Sequence, residues 1–324
     1  MRLLQRTHAS DLSSPARDFL SIEDLSATEL RALLDRAERL LPSAVGDAVA
    51  EERLRGRVVA NIFFEDSTRT RVSFEIAAKR LGASVVNLGA SGSSASKGET
   101  LVDTARNIEA MGVDCLVIRT SISGGAALVA SSVACPVINA GDGRHQHPTQ
   151  ALLDVLALRL RLGDLAGKRV AIVGDIANSR VARSSTQALL LLGAHVVIVG
   201  PPALVPSGFD HIGRSCSGST GTVTISHDLD AIIGEIDAIM MLRVQMERAA
   251  ANGIAPDYRA SFGLTEARRR RLRKGAAILH PGPVNRGVEI DDAVADDPHD
   301  SIILAQVSCG VAARMAVLLR AIDR

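Results

Sequence analysis

The sequence predicts an α/β protein of two doubly wound domains, each a mostly parallel sheet flanked by helices. Three observations carry that expectation. Strand-like and helix-like segments alternate along the whole chain, which is the pattern of parallel βαβ units. The strand-like segments read as near-continuous apolar runs, as strands covered on both faces do. The length of 324 residues suits two domains of ordinary size, and 47% hydrophobic residues can fill two cores.

The elements follow in order. Ser26-Ala-Thr-Glu29 is a capping box and opens a helix expected to run to about residue 41. Residues 57–64 form a buried strand that ends at Glu65-Asp66-Ser67, and a helical pattern follows to about residue 81. Strands are expected at 84–88, 115–118 and 137–140, with a helix at 100–111 between the first two. A second unit begins near residue 150. It has a helix at 150–162, a strand at 168–175 closing in a Gly turn, a helix at 181–192 and a strand at 195–199, together a βαβ unit. Later strands are expected at 223–226, 238–242 and 277–280. The apolar C-terminal stretch, interrupted by Arg314 and Arg320, reads as an amphipathic helix. The expected division is a first domain at 1–149, on which the helix at 303–324 packs back, and a second at 150–302. The join carries Pro148 and no flexible tract, so the two should pack against each other around a ligand cleft.

Composition excludes several classes. The net charge is +1 and aromatic residues make up 2% of the chain, with no Trp. A nucleic-acid binder usually carries a basic excess and stacking aromatics. The basic run at 268–274 therefore reads as the solvated face of a helix. Cys115, Cys135, Cys216 and Cys309 show no CxxC spacing and read as reduced thiols. No run of 18 apolar residues is present, and residues 1–19 hold no apolar stretch of signal-peptide length, so a cytoplasmic location is expected.

Three segments carry chemistry. The first is Ser67-Thr-Arg-Thr-Arg71, set where a buried strand becomes a helix. Unsatisfied N–H groups and the positive end of the helix dipole favour an anion there. The hydroxyls of Ser67, Thr68 and Thr70 and the planar fork of Arg69 suit phosphate oxygens. The second is the loop 139–150, where a neutral His147 can polarise a carbonyl and Gln150 adds an amide one turn later. A metal site from His145 and His147 is the competing reading, but no further ligand set accompanies them. The third is the Ser/Gly-rich loop 90–100, which carries Lys97 in a chain whose other lysines are only Lys79, Lys168 and Lys274. Ser94-x-x-Lys97 also matches a motif of penicillin-recognising enzymes, whose companion motifs are absent. Arg119, Arg180 and Arg243 each lie just past an expected strand end. Together with Arg69 they suggest a cleft holding a phosphorylated substrate on one wall and a second anion on the other. A GxGxxG dinucleotide fingerprint is absent, so no such cofactor is expected.

With these residues in hand, the chain resembles the aspartate carbamoyltransferase catalytic-chain family over nearly its full length. The signatures are S-T-R-T-R at 67–71, S-K-G-E-T at 96–100, H-P-T-Q at 147–150, R-V-Q at 243–245 and H-P-G-P at 280–283. The resemblance implies transfer of the carbamoyl group of carbamoyl phosphate to the amine of L-aspartate, in pyrimidine synthesis, with no cofactor or metal. It implies that Ser67, Thr68, Arg69 and Thr70 hold the phosphate. Arg119, His147 and Gln150 then bind the carbamoyl group, with Thr70, Arg119 and His147 near its carbonyl oxygen. Arg180, Arg243 and Gln245 bind the aspartate carboxylates, and Pro281, Gly282 and Pro283 contribute backbone near both substrates. Gly282 stands where the family pattern leads one to expect Leu. The resemblance also implies a homotrimer in which Lys97 and Ser93, or the adjacent Ser94, reach a neighbour's site. Larger assemblies with regulatory or dihydroorotase-like chains are compatible with it. The alternatives are an ornithine carbamoyltransferase, which would carry Ser-Met-Gly and H-C-L-P segments absent here, and a non-catalytic two-lobed anion-binding protein.

Overall fold

The computed structural model describes residues 17–49, 52–89, 99–216, 218–244 and 258–323. The first half builds α1 (Ala27–Val45), β1 (Val58–Phe63), α2 (Thr68–Arg80), β2 (Ser84–Gly89), α3 (Leu101–Ala110), β3 (Cys115–Thr120), α4 (Gly125–Ala130), β4 (Val137–Asp142) and α5 (Pro148–Leu162). The second half builds β5 (Arg169–Val173), α6 (Arg180–Leu191), β6 (His195–Val199), β7 (Thr222–Ser226), α7 (Leu229–Ile232), β8 (Ala238–Met241), α8 (Tyr258–Phe262), α9 (Glu266–Arg269), β9 (Ala277–Leu279), α10 (Asp292–Ala295) and α11 (Ile303–Ile322).

Two parallel sheets result. The first has the order β2-β1-β3-β4 and the second β7-β6-β5-β8-β9. Every expected strand is present, within about two residues of its expected ends. Because all strands in a sheet run one way, all their carboxyl ends lie on one edge. The strand order reverses between β1 and β3 in the first sheet and between β5 and β8 in the second. Loops leaving such neighbours diverge to opposite faces and open a crevice, where ligands of open α/β sheets bind.

Three expectations needed correction in detail. The capping box forms as read: the Ser26 hydroxyl accepts from Glu29 N–H, and Glu29 accepts from Ser26 N–H at 2.8 Å. The helix then passes Pro42 and stops only at Gly46, in left-handed conformation with φ +92°. Pro42 sits in the last turn, where its missing N–H costs little. The C-terminal helix α11 is not one-sided. Ala312 to Leu319 are all buried, because α1, α2 and α5 pack around that stretch. It is the one helix among the described residues long and apolar enough to cross a membrane, and the core of the molecule encloses it.

The basic run also differs from a uniformly solvated face. Arg268 is buried. Its guanidinium forks onto Asp230 (2.6 and 3.2 Å) and donates to the carbonyls of Ala260 and Gly263 at the C-terminal end of α8. Arg270, two residues on, is exposed. Arg268→Ala is therefore expected to cost about 2–3 kcal/mol of stability, and Arg270→Ala less than about 0.5 kcal/mol. Urea midpoints of the two variants against the parent check the contrast.

Candidate active site

The two switch points meet where Glu65, after β1, accepts hydrogen bonds from Arg180 at the start of α6. At the first, β1 feeds the turn 64–67 and α2, while Arg119, expected just past the strand, is the penultimate residue of β3, which runs on to Thr120, and pairs in register with Phe63. At the second, β5 feeds Gly174 and then α6, which begins at Arg180, and β8 is followed by Arg243. The β4 loop brings in His147 at the start of α5. The β9 loop brings in Pro281, Gly282 and Pro283.

Helix N-termini supply part of the field. Ser67 and His147 precede α2 and α5, and neither side chain caps its own helix. Ser26, Thr100 and Ser179 do cap α1, α3 and α6. The first N–H groups of α2 are thus left for other acceptors, with the positive end of the dipole behind them, whereas α5 opens with Pro148, which has no N–H, and its Gln150 N–H returns to the His147 carbonyl at 2.9 Å. Thr70 is buried in the first turn of α2, while Ser67 is half-buried and Thr68 and Arg69 are exposed.

Glu65 joins the two sheets. It accepts from Arg119 Nη2 at 2.6 Å and from both terminal nitrogens of Arg180, at 3.1 Å for Nη1. Arg180 also donates to the Gly143 carbonyl at 3.0 Å. Arg119 is buried, donates to the Ala140 carbonyl at 3.0 Å and leaves its Nε without a partner. Gly141 makes room for it: at φ +117°, a Cβ there would stand 2.6 Å from Arg119 Nη1. Burial pushes the Arg119 guanidinium down to about 10, helped by the charges of Arg180 and Arg69 and opposed by Glu65. Burial alone would raise the Glu65 carboxyl. Hydrogen bonds from Arg180 and the Arg119 charge outweigh it and hold the group below the usual carboxylate range.

His147 is buried beside these cations. Its backbone N–H donates to the Ser184 hydroxyl of α6 at 2.8 Å, and its Nδ1 has no partner. Burial first, then the charges of Arg119, Arg180 and Arg314, push its pKa well below the ordinary imidazole value. The ring is neutral at pH 7 and can donate one hydrogen bond while accepting another. His145 is bonded to Asp142 at 3.2 Å, and no cluster of metal-ligating side chains occurs among the described residues. Gln150 lies one turn along α5 from His147, and its Nε2 donates to the buried Asp154 at 2.9 Å.

The β9 loop is held from behind. His280 Nε2 meets the buried Glu289 at 3.1 Å, and its Nδ1 accepts from Gly282 N–H at 2.8 Å. Gly282 has φ +67°, a conformation L side chains avoid, and a Cβ there would lie 3.2 Å from the Arg69 guanidinium. Glycine between the two prolines thus lets the turn close on Arg69. Asn285 donates to the Val244 carbonyl at 3.0 Å and so ties this loop to the segment after β8.

The structure therefore gathers Arg69, Thr70, Arg119, His147, Gln150, Arg180 and Gly282 in one region. Arg243 lies on the same carboxyl edge with its side chain exposed. Ser93, Ser94, Lys97 and Gln245 lie outside the described residues. Sequence reasoning missed Glu65 and Arg314. Glu65 was visible as an acid between the end of β1 and Ser67, and only the fold shows its two arginine partners. Arg314 is buried with its guanidinium 5.2 Å from the Phe74 ring centroid, and burial pushes it down to about 10.

Facing switch points lined with guanidinium groups, with a neutral histidine between them, define a two-walled α/β enzyme built to hold two anions together. Comparison with known proteins narrows the class. Residues 17–160 match the family model "Aspartate/ornithine carbamoyltransferase, carbamoyl-P binding domain", and residues 166–321 match the "Asp/Orn binding domain" model of the same family. The aspartate carbamoyltransferase catalytic subunit of Myxococcus xanthus is 53% identical over 304 residues, covering 93% of this chain and 98% of the relative. That of Acidiphilium cryptum is 50% identical over 307 residues, covering 94% and 96%. Among solved structures, aspartate transcarbamoylase from Trypanosoma cruzi in complex with carbamoyl aspartate and phosphate superposes with a TM-score of 0.84. It is 32% identical, with 95% of this chain and 96% of that one covered. Ornithine carbamoyltransferase from Pyrococcus furiosus also reaches 0.84, at 29% identity, with 95% and 97% covered. The chain belongs to the aspartate/ornithine carbamoyltransferase family.

The Glu65 bridge has a pH signature. Its carboxyl titrates lower in the folded chain than the roughly 4.3 of an unfolded glutamate. The stabilisation is therefore complete above that value and is lost as pH falls through the folded pKa. Glu65→Gln should lose about 1–2 kcal/mol at pH 7 and show a shallower fall in Tm between pH 5 and about pH 3 than the parent. Parallel Tm profiles for the two proteins would dismiss the bridge.

Proposed function

We propose that the protein is an aspartate carbamoyltransferase that forms N-carbamoyl-L-aspartate and phosphate from carbamoyl phosphate and L-aspartate. The observation that carries this reading is the pair of arginine-flanked switch points facing one crevice, with neutral His147 at their junction. Carbamoyl phosphate binds at the first switch point. Its phosphate meets the first turn of α2, with the Ser67, Thr68 and Thr70 hydroxyls and the Arg69 fork. Arg119, Thr70 and His147 direct donors at the carbonyl oxygen, and Gln150 receives the amino group. Arg180, Arg243 and Gln245 take the two carboxylates of aspartate, and Pro281, Gly282 and Pro283 border both substrates. On this reading residues 1–149 with 303–324 form the carbamoyl-phosphate unit and 150–302 the aspartate unit.

The chemistry needs no nucleophilic side chain. The aspartate amine attacks the carbamoyl carbon, a C–N bond forms and the bond to the phosphate oxygen breaks. The amine's proton leaves with the phosphate. Donors aimed at the developing oxyanion are worth ~3 kcal/mol each. Clamping both reactants adds several kcal/mol through proximity. A neutral His147 suits the donor's role, because it brings a hydrogen bond without adding a further positive charge to the arginines around it.

The enzyme is further proposed to act as a cytoplasmic homotrimer in pyrimidine synthesis, with Lys97 and Ser93 completing a neighbour's site. Support comes from exposed Val72 and Ile76, four apart on one face of α2, and exposed Val86 on the edge strand β2. Val86 lies on the strand that precedes residues 90–98, and α2 packs beside that strand.

An assay of carbamoyl transfer decides the substrate: turnover with L-aspartate and none with L-ornithine is expected, and the reverse result, or none with either, rejects the proposal. His147→Ala should lower kcat about 100-fold. Arg243→Ala should raise the KM for aspartate tenfold or more, on the order of one lost charge-assisted contact, with little change for carbamoyl phosphate. Lys97→Gln and His147→Ala proteins should each be nearly inactive as pure oligomers and regain activity when their subunits are mixed. Mixtures that stay inactive rule out shared sites.

A further inference from the structure

Asp154 is a charged side chain that the scheme above does not use. It lies on α5, fully buried. Its Oδ1 accepts from Gln150 Nε2 at 2.9 Å and from Gln306 Nε2 at 2.7 Å, and its Oδ2 accepts from the Ser185 hydroxyl of α6 at 2.9 Å. Gln306 on α11 in turn accepts from His280 N–H at 2.9 Å, and His280 Nδ1 accepts from Gly282 N–H at 2.8 Å. One carboxylate thus sits behind two parts of the crevice, the Gln150 amide and the Pro281-Gly282-Pro283 turn.

We propose that Asp154 is a positioning residue that sets the polarity of the Gln150 amide. The chemistry of the group explains how. An ionised carboxylate only accepts, so the Gln150 NH2 must face it and Gln150 Oε1 must face away. That oxygen receives no hydrogen bond among the described residues. It is an acceptor suited to the N–H of the carbamoyl group, and it separates carbamoyl from acyl donors that carry a methyl in that place. Gln306 is fixed the same way, because a backbone N–H holds its oxygen and leaves its NH2 for Asp154. Burial raises the Asp154 carboxyl to about 6, so keeping it ionised at neutral pH opposes folding. The inference rests on the carbamoyltransferase reading, and parent turnover with L-aspartate is its control.

The test compares Asp154→Ala and Asp154→Asn with the parent in the full-length oligomer. The readouts are KM for carbamoyl phosphate, KM for aspartate, and the Ki of acetyl phosphate as a competitor of carbamoyl phosphate. Acetyl phosphate lacks the amino group and does not consult Gln150 Oε1. Asp154→Ala should raise the carbamoyl phosphate KM about tenfold, the size of one misdirected hydrogen bond. The acetyl phosphate Ki should stay within about twofold, and Asp154→Asn should stay within about threefold of the parent on every readout. Should the alanine variant not fold, Asp154→Leu fills the space without an acceptor and takes its place. Equal weakening of both phosphates, an unchanged carbamoyl phosphate KM, or an asparagine variant as impaired as alanine overturns the proposal. So does failure of both apolar variants to fold beside a normal asparagine variant, which assigns Asp154 to stability alone. An inactive parent would instead reject the enzymatic reading.

Discussion

The constraint on which the molecule turns is the crowding of like charge. Arg119, Arg180 and Arg314 bear on His147 in a largely buried region, the exposed Arg69 adds its charge to that felt by Arg119, and Glu65 is the carboxylate that touches two of them. Burying cations without partners costs several kcal/mol each. The surrounding fold must supply that from apolar burial, and it does so with two parallel sheets covered by helices on both faces. The same crowding gives the site its character. Burial first, and then this crowding, keeps His147 neutral, and donors remain on Arg119 and at the start of α2 that an anionic ligand can satisfy.

Most of this architecture was legible in the residues, for definable reasons. Parallel strands buried on both faces are continuous apolar runs, so β1, β3, β5 and β8 stand out without any knowledge of the fold. Site residues that follow such strands inherit their place from them, which is why Arg69, Arg119 and Arg180 were found together. What stayed hidden depends on long-range pairing. Glu65 reads as a turn acid until Arg180, 115 positions away, is brought beside it. Asp154 reads as one acid in a helix until Gln306, 152 positions away, reaches it. The basic run at 268–274 misled because composition cannot tell a solvated arginine from one that closes the end of a short helix, as Arg268 does.

The Pro281-Gly282-Pro283 turn shows how a departure from a motif can be accommodated locally. The left-handed backbone and the close Arg69 guanidinium leave little space for a larger residue. His280, Glu289, Asn285 and Gln306 hold the turn through hydrogen bonds from behind. Its position therefore does not depend on a side chain at 282, and the contact with the first switch point is made by backbone.

The return of α11 to pack on α1, α2 and α5 has a consequence for how the polypeptide matures. Residues 303–322 leave the ribosome after β5 to β9, yet they complete the half built around β1 to β4, which is made before that sheet. The sheet built from β5 to β9 can close before α11 is made, but the earlier half must wait for that helix. Completion of the two halves thus runs against their order in the chain, and the segments around β1 to β4 need protection until α11 emerges.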